Sequence, residues 1–294
     1  MKLNASTIIL YEIIMLVSPC AKLNLGLNVV ERRADGYHNL ETVFIPVPLY
    51  DALEINVMDE RFPSETACDI KISGNKIDCE DKDNIIVKAY NIIASDYDIP
   101  RIHVHLFKNI PSQAGLGGGS SDAAYMLRAL DDLFGLNIGN HRLKEYAARL
   151  GADCAFFIDS KPAFATGIGS CLTPVNMATT LAGYYVVIIK PSVAISTKEA
   201  YAHIHPHYPE MCCRDIVGQP VETWKDLLSN DFEEQAFKDY PELQEIKNTL
   251  YSNGAVYAQM SGSGSAMFGL FKEHPYSVES LFKHYYTTTL KLQY

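Results

Sequence analysis

Residues 108–124, Lys-Asn-Ile-Pro-Ser-Gln-Ala-Gly-Leu-Gly-Gly-Gly-Ser-Ser-Asp-Ala-Ala, constrain this chain more than any other stretch. Gly115, Gly117, Gly118 and Gly119 lack the Cβ that would keep backbone N–H groups from converging on one point. They run straight into a helical pattern, whose first turn offers unpaired amides and a positive dipole end. The stretch predicts an anion cradle. Upstream, Ile102, Val104 and Leu106 alternate with His103, His105 and Phe107, which is strand periodicity, and Pro111 helps to end it. Downstream, Ala123, Leu127, Leu130 and Phe134 recur at helical spacing from about Ser121, with Ser120, Ser121 and Asp122 available as N-cap or first-turn residues. Strand, glycine loop and helix therefore follow one another.

Three better-known glycine motifs do not fit. A P-loop ends in Gly-Lys-Ser/Thr, but Ser120 follows Gly119 with no lysine. A dinucleotide fingerprint places glycine where Ser120 stands and an acid about 20 residues on, and neither is met. A protein kinase carries His-Arg-Asp and Asp-Phe-Gly, and both are absent from the sequence. A flexible glycine linker is the plain alternative, but linkers rarely join a clean strand to a clean helix.

With 294 residues, the chain is long enough for two domains, divided here as 15–162 and 163–294. A formal net charge of -10 argues against a nucleic-acid surface, although a few local cations and amides can still hold a phosphorylated small molecule. The seven cysteines include no Cys-x-x-Cys pair, which fits reduced thiols in a cytoplasmic protein. Residues 8–17 are apolar but are interrupted by Glu12, too short to span a bilayer, and followed by no small-residue cleavage site. No membrane association is expected. Residues 1–14 read as an extension ahead of the first strand, or as a misassigned start.

From 18 to 30 the pattern has period two, with Ala21, Leu23, Leu25, Leu27 and Val29 on one face and Lys22, Asn24, Gly26 and Asn28 on the other. Ala34-Asp-Gly36 signals a turn, followed by strands over 37–48, 53–57 and 70–72. Helices are expected over 84–96 and 140–150, then glycine-punctuated strands from 163 and a buried strand over 184–189. Residues 224–237 and 241–251 read as helices, and 255–260 and 266–271 as strands around Ser261-Gly-Ser-Gly-Ser265.

Five segments now stand in order: Pro19-Cys-Ala-Lys-Leu-Asn24, Ala34-Asp-Gly-Tyr-His38, the glycine loop, Gly151-Ala-Asp-Cys-Ala-Phe-Phe157, and Met260-Ser-Gly-Ser-Gly-Ser265. Together they resemble the galactokinase, homoserine kinase, mevalonate kinase and phosphomevalonate kinase (GHMP) superfamily over nearly everything after Met15. The second and fourth segments point to its branch acting on a cytidine diphosphate-linked methylerythritol. The resemblance implies an α+β, two-domain GHMP kinase fold with the active site in the inter-domain cleft.

It further implies a catalytic pair, Lys22 and Asp153. Asp153 would accept the proton of the attacking hydroxyl, and Lys22 would steady that charge and orient the substrate or phosphoryl oxygens. Without the resemblance they are a salt-bridge lysine and a helix-end aspartate. Asn24 would hydrogen-bond the substrate, Tyr37 stack on the cytosine, His38 bond its edge, and Tyr201 form a second aromatic wall. ATP, the expected co-substrate, would lie on Pro111, Ala114, Gly115, Leu116, Gly117, Gly118, Gly119, Ser120 and Ser121, with Asn84 and Lys108 lining the adenine pocket. Mg2+ is expected with ATP, touched by Ser121 or a neighbouring loop oxygen, but no carboxylate pair has diagnostic metal spacing. The partner is thus a small molecule, with a monomer or weak homodimer as the assembly. The sequence departs from the family at Ala155, commonly proline, and at Pro111-Ser-Gln-Ala, usually Pro-x-Gly/Ala. His203, His205 and His207 have the spacing of metal ligands on a strand, but Pro206 interrupts them.

Overall fold

The structure, a computed structural model, describes residues 14–294 apart from 60, 62 and 78. Residues 1–13 of the expected extension lie outside the described residues, whereas Ile14 already belongs to a strand. The first half contains β1 (Ile14–Val17), β2 (Cys20–Arg32), β3 (His38–Tyr50), β4 (Ala52–Val57), β5 (Cys68–Gly74), α1 (Ile85–Asp96), β6 (Ile102–Lys108), α2 (Gly118–Phe134), α3 (Asn140–Leu150), α4 (Cys154–Asp159), β7 (Ala163–Thr166) and β8 (Cys171–Pro174). The second contains α5 (Ala178–Leu181), β9 (Tyr185–Lys190), α6 (Thr197–Ala202), α7 (Cys213–Val217), α8 (Trp224–Leu227), α9 (Glu233–Asp239), α10 (Pro241–Ser252), β10 (Tyr257–Met260), β11 (Met267–Phe271), α11 (Val278–Leu281) and β12 (Tyr286–Lys291).

The strands form three sheets, ordered β1-β4-β6-β5, β2-β3-β7-β8 and β10-β11-β9-β12. Apolar residues of the first sheet share a core with α1 to α4, built on Leu53, Ile55, Val104, Ile86, Leu127 and Phe156. A second core joins the inner face of β2 and β3 to the carboxy-terminal sheet through Leu23, Ile45, Ile188, Phe268 and Trp224. A third lies between that sheet and α9 and α10, through Ile189, Met267, Leu243 and Leu250. This is the α+β class expected. The expected boundary after residue 162 falls just where β7 returns to pair with β3 and β8 adds to β7, so this sheet continues to Pro174. Among the described residues, no helix is long and apolar enough to cross a membrane.

The period-two pattern of β2 holds from Ala21 to Leu25 and then breaks. Gly26, at φ 67, sits in a register shift between Leu25 and Leu27. A bulge of this kind moves the following residues to the other face, which is why Leu27 and Val29 enter the third core while Leu23 and Leu25 enter the second. Two helices also differ from expectation. Helix α2 starts at Gly118 rather than near Ser121, because Gly117 in the left-handed conformation serves as its N-cap. The single helix expected over 224–237 is split into α8 and α9. Between them Asn230 donates from Nδ2 to the carbonyls of Met260 and Gly262, at 2.8 and 2.9 Å, and accepts from the Phe232 amide. Those bonds draw the chain out of the helical path.

The entry to the glycine loop is fixed by a buried charge cluster. Lys108, at the end of β6, donates from Nζ to Asp51 and, at 2.7 Å, to Asp122 in the first turn of α2. All three side chains are almost fully buried. Asp51 also accepts from the amides of Asn109 and Ile110. Burial first, and then the charge of Asp51, push the Asp122 carboxyl up to about 8 against the opposing pull of Lys108. For Lys108 burial works downward, but the two carboxylates outweigh it and raise its pKa.

Removing the cation would leave the buried Asp51 and Asp122 carboxyl pair without its counter-charge, so Lys108→Met should lower the unfolding free energy by about 3–5 kcal/mol in urea titrations. Asp122 supplies a pH signature. An unfolded aspartate ionises near pH ~4, so across the window from there to about 8 the folded chain retains a proton that the unfolded chain has lost. Stability from this group is therefore present below that window and declines as pH rises through it. In Asp122→Asn the decline should flatten, as followed by urea midpoints at several pH values.

Candidate active site

Lys22 is the third residue of β2, and its backbone amide donates to the Leu116 carbonyl of the glycine loop at 2.9 Å. Its Nζ donates to Asn24 Oδ1 at 2.5 Å, lies 3.5 Å from Asp153 Oδ2, and sits 5.0 Å from the centroid of the Phe44 ring. Asn24 is held by its Nδ2, which donates to Thr42 Oγ1 at 3.1 Å, and Thr42 in turn donates to the Gly26 carbonyl. The strand alternation thus places Lys22 and Asn24 on one face, and the Thr42 bond turns the amide oxygen toward the ammonium. Burial pulls the Lys22 ammonium below its ordinary pKa, while the charge and hydrogen bond of Asp153 oppose that pull. The Lys22 side chain is 4% exposed and that of Asp153 33%. One partner is sealed by protein and the other faces open space.

That space is a cavity of about 1260 Å³ between the two halves of the chain. Lys22, Asn24, Gly115, Gly117, Ser120 and Asp153 line one part, and Tyr37, His38 and Tyr201 another. The expected catalytic pair, both glycine-rich segments and the expected base-binding residues therefore meet around one space. In α2, Ser121 is the first residue whose amide finds an intrahelical acceptor, Gly117 O at 2.9 Å. The amides of Gly118 to Ser120 stand outside the helix ladder, where an anion can use them.

The glycine loop is braced from the other side by 261–265. Ser261 Oγ donates to the Gly115 carbonyl at 3.0 Å, and the Ala266 amide donates to the Ala114 carbonyl at 3.1 Å. Gly115 has φ 72, and a Cβ built on it would overlap the Ser261 carbonyl. No other residue fits. Gln113, in the unusual loop opening, is also left-handed, at φ 49, and its residue lines the cavity. Ala155, the other departure, is simply the second residue of α4.

At the aromatic end, His38 and Tyr201 stack with ring centroids 5.0 Å apart and planes 19° apart, and Phe232 meets Tyr201 edge-on at 4.9 Å. Tyr37 is exposed. Its turn is fixed by Arg33, which grips Asp35, and by the Tyr37 amide donating to Asp35 Oδ1 at 3.1 Å. Burial, and then the charge of Arg32, lower the His38 pKa, which favours the neutral ring. A neutral imidazole can both donate and accept.

The remaining expected residues are placed as follows. Ala114 and Leu116 turn into the second core, Pro111 is half-buried, and Gly119 is exposed. Asn84 caps α1 by accepting from the Ile86 amide at 2.9 Å, and neither it nor Lys108 lines the cavity. Ser121 is fully buried, with its Oγ unpartnered among the described residues, whereas Ser120 lines the cavity. Gly262, Ser263 and Gly264 line it too. Among the described residues, no group of three or more His, Cys, Asp or Glu side chains is arranged to hold a metal, the His203, His205 and His207 run included. Thr42, Phe44 and Phe232 were not anticipated. The first two could have been found from the hairpin register, since Phe44 lies opposite Asn24 and Thr42 opposite Leu27.

Comparisons with known proteins agree with this geometry. The family model described as GHMP kinases N terminal domain matches residues 84–161, and GHMP kinases C terminal matches 215–286. The chain is 51% identical over 257 residues to a 4-diphosphocytidyl-2-C-methyl-D-erythritol kinase of Bacteroides fragilis (strain YCH46), covering 87% of this chain and 92% of the relative. It is 51% identical over 261 residues to the protein of the same name from Bacteroides thetaiotaomicron, covering 88% and 92%. A crystal structure of 4-(cytidine 5'-diphospho)-2C-methyl-D-erythritol kinase superposes with a TM-score of 0.78 at 30% identity, covering 94% of this chain and 98% of that one. Methanococcus jannaschii mevalonate kinase superposes with a TM-score of 0.68 at 12% identity, covering 95% and 98%, a likeness of fold.

Because Gly115 is both left-handed and in backbone contact with Ser261, Gly115→Ala should cost at least about 2 kcal/mol of unfolding free energy. Urea denaturation checks the cost. Nucleotide titration should show a further loss of ATP affinity in the folded variant, as the two loops separate.

Proposed function

The chain belongs to the GHMP kinase family, among its 4-diphosphocytidyl-2-C-methyl-D-erythritol kinases, and from that premise we propose the reaction it performs. It transfers the γ-phosphoryl group of ATP to the 2-hydroxyl of 4-diphosphocytidyl-2-C-methyl-D-erythritol, giving the 2-phosphate and ADP, in the non-mevalonate route to isoprenoid precursors. One observation carries the reading: a buried ammonium and a partly exposed carboxylate, 3.5 Å apart, face a single cavity that holds a glycine loop and a stacked aromatic pair.

In the transfer, the substrate oxygen forms a bond to the γ-phosphorus while the bond from that phosphorus to the β,γ-bridging oxygen breaks. Asp153 takes the hydroxyl proton, and ADP leaves with the bond electrons. Lys22, desolvated and held by Asn24, places fixed positive charge beside the carboxylate and the moving phosphoryl oxygens. The amides of Gly117 to Ser120 hold the phosphates of ATP. Tyr37, His38 and Tyr201 hold the cytosine, and Asn24 the polyol. Because the nucleophile is a tertiary alcohol, alignment matters at least as much as proton removal. Mg2+ on the ATP phosphates would neutralise developing negative charge, and the Ser120 hydroxyl, in the loop at the cavity wall, is an oxygen donor suited to a hard cation. All seven cysteines are free, which suits a cytoplasmic enzyme.

The test is ADP release with magnesium ATP and, separately, the cytidyl substrate, mevalonate or homoserine. Turnover should occur with the cytidyl substrate alone. Asp153→Asn should lower kcat by roughly 10²–10⁴-fold with an unchanged circular dichroism spectrum. Turnover of another alcohol would discard the cytosine pocket, and an undiminished variant would remove Asp153 from the mechanism.

A further inference from the structure

Two cations at the aromatic end of the cavity remain without a role. Arg32 closes β2 and is the direct cross-strand neighbour of His38. Lys198, in α6, stands three residues before Tyr201 and so one turn away on the same side of that helix. His38 and Tyr201 are the stacked pair, so the two cations flank one aromatic platform from two different elements. Both line the cavity. Among the described residues neither forms an ion pair, whereas the adjacent Arg33 is engaged by Asp35 and Asn39. Glu199, beside Lys198, also lines the cavity and offsets part of their charge.

The substrate proposed above explains why free cations belong here. Its base and its polyol are joined by a diphosphate, which must pass between the aromatic platform and the pair Lys22 and Asp153. The glycine loop is committed to the phosphates of ATP. A chain with a net charge of -10 supplies no general attraction for a second polyanion, so local cations must. Resting on that reading of the site, we propose that Arg32 and Lys198 clamp the diphosphate of the cytidyl substrate and make the enzyme discriminate nucleoside diphosphates from nucleosides.

Calorimetric titration of the full-length protein with cytidine, CDP and ATP tests the clamp, using the wild type, Arg32→Gln, Lys198→Gln and the double variant. Each single variant should lose roughly 5- to 10-fold in CDP affinity, as expected for a partly screened charge-assisted contact, and the double variant about 50-fold. Cytidine and ATP should bind all four proteins alike. Arg32→Lys, which keeps the charge but not the guanidinium fork, should recover part of the loss. A double variant that retains the wild-type preference for CDP over cytidine would overturn the clamp and leave the functional reading standing. A loss of ATP affinity instead would assign the cations to the donor and overturn it as well. A wild type that binds neither cytidine nor CDP would overturn the functional reading, and the clamp with it.

Discussion

The structure depends on the backbone contact between Gly115 and Ser261. At this point two loops, 146 residues apart in sequence, approach so closely that no Cβ fits between them. The hydroxyl of Ser261 donates across the gap, the Ala266 amide reaches the Ala114 carbonyl, and on the other side Lys22 donates its amide to Leu116. Three segments are thereby tied into one frame: the strand bearing the lysine, the glycine loop, and the carboxy-terminal turn. The cavity is what these segments enclose. Because every one of these contacts has a backbone partner, the frame is stiff, and Lys22 and the glycine loop inherit its precision.

Two buried lysines in this frame show how one residue type is given different work. Lys108 is held by two carboxylates that are themselves buried, so its charge is consumed inside the protein. It fixes the junction of β6, β4 and α2, and with it the start of the glycine loop. Lys22 has a single carboxylate near it, and that carboxylate is one-third exposed. Its pKa is lowered by burial, whereas that of Lys108 is raised by its two partners. An incompletely compensated ammonium beside open space is available to a ligand anion; a fully compensated one is not.

Much of this was legible in the sequence because the informative features are local. The strand, glycine loop and helix order, the Lys22 and Asn24 face, and the Asp153 segment all depend on periodicity or on glycine content within a few residues. The failures have one cause, which is tertiary contact. Gly26 looks like an ordinary member of an alternating strand, yet a bulge there sends Leu27 into a different core. Residues 224–237 carry a helical pattern, yet Asn230 leaves it to bind carbonyls 30 and 32 residues away. Lys108 is expected at the adenine pocket, and only the folded chain reveals Asp51 and Asp122 around it. Gln113 stands where the family usually has glycine or alanine, and only the folded chain shows that it adopts a left-handed φ of 49.

An acidic protein that handles two phosphorylated ligands must solve anion binding twice without attracting anions in general. In the arrangement proposed above, the two ends of the cavity do so by different physics. At the glycine loop the donors are backbone amides, which carry no net charge, lose no side-chain entropy and are rigid because the fold holds them. They suit a nucleotide whose terminal phosphate must be positioned to within a fraction of an ångström. At the aromatic platform the proposed donors are Arg32 and Lys198, long and exposed, whose charge reaches farther but whose position is looser. They suit a diphosphate that is a linker and not the reacting group. Precision is concentrated where a bond is made, and charge where only recognition is needed. The His38 ring, proposed to read the base by hydrogen bonding, has its protonation opposed first by burial and then by the charge of the same Arg32.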